Sequence, residues 1–233
     1  MNRLRSKLSW WRRRLFGSYR ITDPRSLAES APYTFFLPSE NEVLALRRGD
    51  LAKLIFQSVP ASTDYAAERM WVVITLADGD HLIGQLDNAP IDMPQLRPGS
   101  EIRFRRGDVI DLRWGADRPV RPPSAPARRH YEERCLVDSC VLRDGLAVHY
   151  LYREAGLPHD EGESPDSGWR IRGDFRAEAD DAAIDARRTE WTTIGHVLNA
   201  DDSWVSLVDA PVGSAYVRNW QSNRFEPESA AAD

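Results

Sequence analysis

Two cysteines, Cys135 and Cys140, and three histidines, His149, His159 and His196, are the side chains best suited to ligate a metal. Structural zinc sites pair their ligands at C-x2–4-C and H-x3–5-H, so that one turn or knuckle offers two of them. Here the histidines stand ten and more residues apart and fall in unrelated elements, so the sequence predicts no metal site. A nucleophile built from Cys135 or Ser167 with a histidine is open to any chain, because such triads are spatial. Cys135, however, lies in an apolar strand-like segment, where a thiol is inert. The two cysteines are five apart, which on a strand puts them on opposite faces and argues against a disulfide. Two free thiols suit a reducing compartment. Phosphate-binding loops, dinucleotide fingerprints, H-E-x-x-H and G-x-S-x-G are all missing. The expectation is a chain with no catalytic residue and no cofactor.

Charge is the stronger signal. Asp174, Glu178, Asp180, Asp181, Asp185 and Glu190 fall within seventeen residues. From Tyr131 to Glu228 there are 10 basic and 20 acidic side chains. Such a region repels nucleic acid and steers basic proteins toward itself. The six clustered acids are therefore the predicted contact surface for a protein partner. Residues 1–20 are the reverse, with seven basic side chains and no acid. Leu4, Leu8, Trp11 and Leu15 recur there at helical spacing, which predicts a basic amphipathic arm over 1–30. Three fates are open to it: a weak association with an anionic membrane surface, docking on a partner or on the chain's own acidic half, or no role. No window is long enough and apolar enough to span a bilayer, and no apolar signal-peptide core follows the basic start, so the expected location is cytoplasmic.

These residues must be held by something. Pro119, Pro122, Pro123 and Pro126 mark a linker over 115–130, since proline neither continues a helix nor pairs inside a sheet. It separates a β-rich domain at 31–114 from an α+β domain at 131–226, with a tail at 227–233 that frays from Glu226 onward. The predicted fold class is α+β: two small domains, each a mostly antiparallel sheet with one or two short helices. In the first domain the pattern predicts strands at Tyr33–Leu37, Leu51–Phe56, Arg69–Leu76, His81–Leu86, Ile102–Phe104 and Val109–Leu112. Ser39 three before Glu42 predicts a capping box and a short helix ending by Gly49. In the second domain it predicts a hairpin of Cys135–Val137 with Val148–Tyr152 around Asp144-Gly145, a strand at Trp169–Ile171 and a helix after the acidic run. Short helices at Thr193–Leu198 and Trp204–Val208 and a closing strand at Ser214–Arg218 follow.

Cys135-Leu136-Val137, Tyr150-Leu151-Tyr152-Arg153-Glu154, Asp166-Ser167-Gly168-Trp169-Arg170 and Leu207-Val208-Asp209-Ala210-Pro211-Val212-Gly213-Ser214-Ala215-Tyr216-Val217-Arg218 occur in that order. This order resembles a bacterial family of small immunity proteins associated with polymorphic toxin systems, whose pattern is C-[IV]-V, Y-x-Y-R-E, D-S-G-W and P-x-G-S-A-[FY]-x-R. Asp138 and the 182–192 segment depart from it. The resemblance implies a protein that neutralises a cognate toxin by binding it. A non-catalytic adaptor or regulatory module, and an enzyme with an unrecognised site, are the alternatives. The first half is similar to a second, uncharacterised bacterial family, through Glu68-Arg69-Met70-Trp71-Val72, Gly84-Gln85-Leu86-Asp87-Asn88-Ala89-Pro90 and Ile110-Asp111. The motif residues themselves read as structural. Gly168, Pro211 and Gly213 mark turns, and Trp71, Tyr152 and Trp169 anchor cores. Arg153 and Arg218 pair with acids such as Asp166 or Glu154, Asn88 caps the loop at Pro90, and Ser214 opens the last strand.

Overall fold

Alternation of apolar and polar side chains builds the first sheet. In the computed structural model, which describes residues 10–118, 127–158, 162 and 164–228, the chain divides into two compact units. The first holds β1 (Ser18–Ile21), α1 (Arg25–Ser30), α2 (Glu40–Leu44), β2 (Leu51–Val59), β3 (Glu68–Asp78), β4 (His81–Leu86), β5 (Glu101–Arg105) and β6 (Asp111–Arg113). β1 to β5 pair in sequence order, all antiparallel, and β6 joins the same edge of β2 that β1 occupies further along. Ala52, Leu54 and Phe56 on β2, Met70, Val72 and Ile74 on β3, and Ile102 and Phe104 on β5 point inward at every second position. The expected capping box is present: Ser39 receives the Glu42 backbone N–H, and the Glu42 carboxylate receives that of Ser39 at 2.9 Å.

Three expectations for this region are corrected. Tyr33–Leu37 forms no strand. Residues 30–34 belong to the second unit, where the Tyr33 N–H and the Thr34 hydroxyl bond the Asn199 side chain at 2.9 and 2.7 Å. Residues 18–21, assigned to a basic arm, are an edge strand, because Tyr19 and Ile21 alternate onto the apolar face of the sheet. Trp71 is no core anchor. It sits on the outer face of β3, half-buried between Lys53 and Arg113, whose charged ends lie 5.1 and 4.6 Å from its ring. The expected positions of Leu4, Leu8 and the linker prolines lie outside the described residues. At the near end of that linker the Gly115 N–H and the Arg118 guanidinium are bound to the buried Asp50.

The second unit holds β7 (Arg134–Asp138), α3 (Ser139–Arg143), β8 (Val148–Arg153), β9 (Asp166–Gly173), α4 (Asp181–Asp185), β10 (Thr189–Thr193), α5 (Ile194–Ala200), β11 (Ala215–Asn219) and β12 (Arg224–Pro227). Its strand order is β10-β7-β9-β8-β11-β12, antiparallel except for the parallel pair β7–β9. The predicted β7–β8 hairpin is therefore wrong. α3 follows β7 at once, and β9 inserts between the two strands, pairing with both. β12 and the bond from the Glu228 N–H to the Ala215 carbonyl, 2.9 Å, replace the expected fraying from Glu226. One face of the sheet carries Cys135, Val137, Trp169, Ile171 and Leu151 against Val141 of α3 and Ile194, Val197 and Leu198 of α5. Trp169 and Trp204 meet edge-on at 5.8 Å in this core, and the Trp169 indole N–H reaches the Val208 carbonyl at 3.0 Å.

Candidate protein-binding face of the second unit

The motifs that stand apart in sequence are tied to each other. Between the pairs Arg134↔Asp166 and Leu136↔Arg170, β9 carries two more residues than β7, a bulge filled by Ser167 and Gly168. Gly168 has φ +81°, and a Cβ there would run into the Glu154 carbonyl oxygen, so glycine is required inside this strand and not at a turn. The Ser167 hydroxyl donates to the Arg134 carbonyl at 2.7 Å, and Asp166 receives the Gly168 N–H at 2.9 Å. Among the described residues, no acid forms an ion pair with Arg153. Its guanidinium donates to the carbonyls of Ser167 and Ala210, at 2.9 and 2.6 Å, and so joins the bulge to the chain entering the Pro211 turn. That turn closes by Ser214 N–H to Pro211 carbonyl, 3.1 Å, and is held to β8 by Gly213 N–H to Arg153 carbonyl, 2.7 Å. Arg218 takes Asp201 at 2.8 Å, not Asp166 or Glu154.

Arg170 has the role expected of Arg153. It is buried, and it bonds Asp166 at 2.8 and 3.0 Å and Glu154 at 2.6 Å. Burial would raise the Asp166 pKa, but the hydrogen bonds from Arg170, Leu157 and Gly168 outweigh it and hold the carboxyl at about 2. The hydrogen bonds that Arg170 donates to Asp166, against the cost of burial, raise its own pKa. Arg170 closes the run Asp166-Ser167-Gly168-Trp169-Arg170, although the D-S-G-W pattern itself stops one residue short of it. The cue in the sequence is its place four after Asp166 in a segment otherwise buried.

Register places Arg170 on the side of the sheet opposite the helices. Trp191, Leu136, Arg170, Tyr152 and Ala215 lie abreast across β10, β7, β9, β8 and β11, with Arg172, Tyr150 and Val217 in the next row. Trp191 is 42 % exposed, and Tyr152 and Val217 are each 36 % exposed. Tyr152 is thus a surface residue and not the core anchor expected. Aromatic side chains around a desolvated arginine, on an open sheet face, are the composition of a protein-binding core. This face had no signature in sequence beyond the alternation that builds it.

The acidic run is more balanced than its composition suggests. Asp174 pairs with Arg176 at 2.7 Å, Glu178 with Arg187 at 2.6 Å, Asp185 with Arg172 at 2.9 Å and Glu190 with Arg143 at 2.5 Å. Asp180 caps α4 through the Ala183 N–H, and Asp181 lies exposed in its first turn. Arg172 and Arg187 converge on the fully buried Asp138, the residue that departs from the family pattern, and so tie the α4 segment to the ends of β7 and β9. The acids therefore form a margin beside the aromatic face. Glu178, Glu190, Arg143, Arg187, Arg188 and Cys140 line a polar cleft of 610 Å³.

The other chemical candidates are placed as follows. Both cysteines are free: Cys135 is buried in β7, with burial pushing its thiol up to about 12, and Cys140 stands in α3, not on a strand. Ser167 spends its hydroxyl on the bulge. His149 is buried, stacked on Phe175 at 4.2 Å, with Nδ1 3.5 Å from Asp174; burial lowers its pKa. His196 bonds the Thr192 hydroxyl at 3.0 Å, and His159 lies outside the described residues. Among the described residues no cluster of three or more His, Cys, Asp or Glu is placed to hold a metal, and no helix is long and apolar enough to cross a membrane.

In the first unit, the motif residues close one loop. The Trp71 N–H donates to Asn88 at 2.8 Å, so Asn88 braces β3 instead of capping its own turn. Beyond Pro90, the N–H groups of Ile91 and Asp92 donate to the Glu68 carboxylate at 2.7 and 2.8 Å.

No curated protein and no solved structure matches the chain. Residues 135–228, from within β7 to the residue after β12, match the family model described as the Immunity protein Imm33 domain, so the second unit is similar to immunity proteins.

Proposed function

We propose that the second unit neutralises a cognate toxin by binding it directly, and that the open face of its sheet makes the contact. The match of residues 135–228 to an immunity-protein family carries the reading, because the matched stretch is coextensive with this sheet. Trp191, Tyr152 and Val217 supply apolar area around Arg170, and the acids of the α4 margin, Asp180, Asp181 and Asp185, supply the steering charge. The role is binding without catalysis, in the cytoplasm, with a protein and not a nucleic acid as partner. For the first unit we keep the likeness to an uncharacterised bacterial family, with Trp71, Asn88 and Pro90 as structural residues.

Affinity capture of the tagged chain from its own cells tests this. A stoichiometric partner carrying a toxin domain, whose activity is lost on adding the chain and regained with Trp191→Ala, supports it. A toxin inhibited equally well by Trp191→Ala and Tyr152→Ala would move the contact off this face. Capture of no toxin under conditions where one is expressed would reject the function.

A further inference from the structure

The helical residues 10–16 are turned inside out. Arg13 is 1 % exposed, and its guanidinium bonds both carboxylate oxygens of Asp92 at 2.8 and 3.1 Å and the Asp92 carbonyl at 2.5 Å. Asp92 is held in turn by the Ser62 hydroxyl and, through its own N–H, by Glu68. That pair fixes which side of the helix faces inward. At about 100° per residue, Trp11 and Leu15 fall opposite Arg13. They are 56 % and 66 % exposed; Phe16, the last residue of the helix and about 60° from Arg13, is 83 % exposed. Arg12 and Arg14 are exposed on the flanks, and the Arg14 guanidinium lies 5.4 Å from the Trp10 ring. An amphipathic helix normally buries its apolar stripe. Here the polar group is buried and the apolar stripe faces out.

We infer that this segment docks on an anionic membrane surface. Residues 1–20 hold seven basic side chains and no acid, the complement of a negatively charged leaflet. In sequence, Leu4 and Leu8 continue the spacing of Trp11 and Leu15, and Trp10, Trp11 and Phe16 are residue types that favour the headgroup boundary. A protein partner fits less well. A stable protein interface needs about 800 Å² from each side, more than one short apolar stripe offers, whereas a bilayer accepts a few inserted side chains combined with charge. The buried Arg13–Asp92 pair gives the stripe a rigid mount. The inference is independent of the toxin-binding reading, which concerns the other unit.

The test is co-sedimentation of the full chain with vesicles of phosphatidylcholine alone and with about a third phosphatidylserine, at low salt and at about 0.5 M. The expected result is binding to the phosphatidylserine vesicles that weakens at high salt. Combined Trp11→Ser, Leu15→Ser and Phe16→Ser should reduce it at least about tenfold, and Arg12→Gln with Arg14→Gln several-fold. These side chains are exposed, so unchanged thermal unfolding of the variants verifies that the fold is kept. Absence of binding to phosphatidylserine vesicles, equal binding by the triple variant, or equal binding to both vesicle types overturns the inference. So does retention on a polyglutamate resin without vesicle binding, which would assign the segment to an acidic polypeptide.

Discussion

Both units bury arginines on aspartates, but at opposite points of their sheets. In the first unit, Arg13 on Asp92 and Arg118 on Asp50 fasten the entering and leaving segments to the β4–β5 loop and the residue before β2, in a sheet whose strands β1 to β5 already pair in sequence order. In the second, Arg170 and Arg218 lie inside the strands, Arg170 on Asp166 of its own strand and Glu154 at the end of β8, and Arg218 on Asp201 just after α5. The same interaction thus fastens ends in one sheet and assembles the middle of the other. Losing a fastening should free a segment. Losing an assembling arginine should undo the unit.

The largest effects test the assembling role. Gly168→Ala meets both an unfavourable φ and the Glu154 carbonyl, and Arg170→Ala strands the buried Asp166. Each should cost the second unit about 3–5 kcal/mol. The check is a denaturant titration in which the transition of the second unit moves and that of the first does not. Arg13→Ala should cost less, about 1–3 kcal/mol, with the loss local. Amide exchange should rise at Gly17, whose N–H bonds the Arg13 carbonyl, while β2 to β5 stay protected. If Arg13→Ala destabilises its unit as much as Arg170→Ala does, the contrast between ends and middle fails.

Trp191→Ala separates the two faces of the second sheet. The ring is 42 % exposed, so its loss should leave unfolding within about 0.5 kcal/mol while weakening toxin binding by about 2 kcal/mol or more. Acid sharpens the same picture. The Asp166 carboxyl is lowered from its ordinary 3.8 to about 2 in the fold, so its contribution is complete above 3.8 and disappears as pH falls through about 2. NMR titration of its carboxyl carbon measures this directly. A midpoint near 3.8 would mean that the Arg170 pair does not hold in solution.

The same contrast governs what was legible in the sequence. In the first unit β1 to β5 each meet a neighbour in the chain, so alternation at Leu51–Phe56, Arg69–Leu76 and His81–Leu86 finds the strands, and their order in the chain is their order in the sheet. In the second, alternation finds β7, β8 and β9 but cannot show that β9 divides the other two, because a parallel pairing leaves no turn signal. The capping box at Ser39 and Glu42 is local and was readable. The open face is not local. Trp191, Arg170 and Tyr152 become neighbours only once the strand order is known. Arginine partners are misassigned for the same reason: Arg153 is near acids in sequence, but its guanidinium reaches the carbonyls of Ser167 and Ala210.

The smallest expected effect belongs to the acids that composition made most conspicuous. Glu178, Asp185 and Glu190 each face an arginine, which leaves Asp180 and Asp181 as the carboxylates whose charge an arginine does not meet in a close pair. Exposed charges at the margin of a contact act mainly on encounter rate. Asp181→Asn, which spares the Asp180 cap and the Asp185–Arg172 pair, should therefore slow association about twofold at low salt and leave the dissociation rate unchanged. Stopped-flow association measured across ionic strength is the check. A loss that persists at high salt would place Asp181 inside the contact and demote the aromatic face to its margin. The contrast between charge that steers and aromatic area that holds would then reverse.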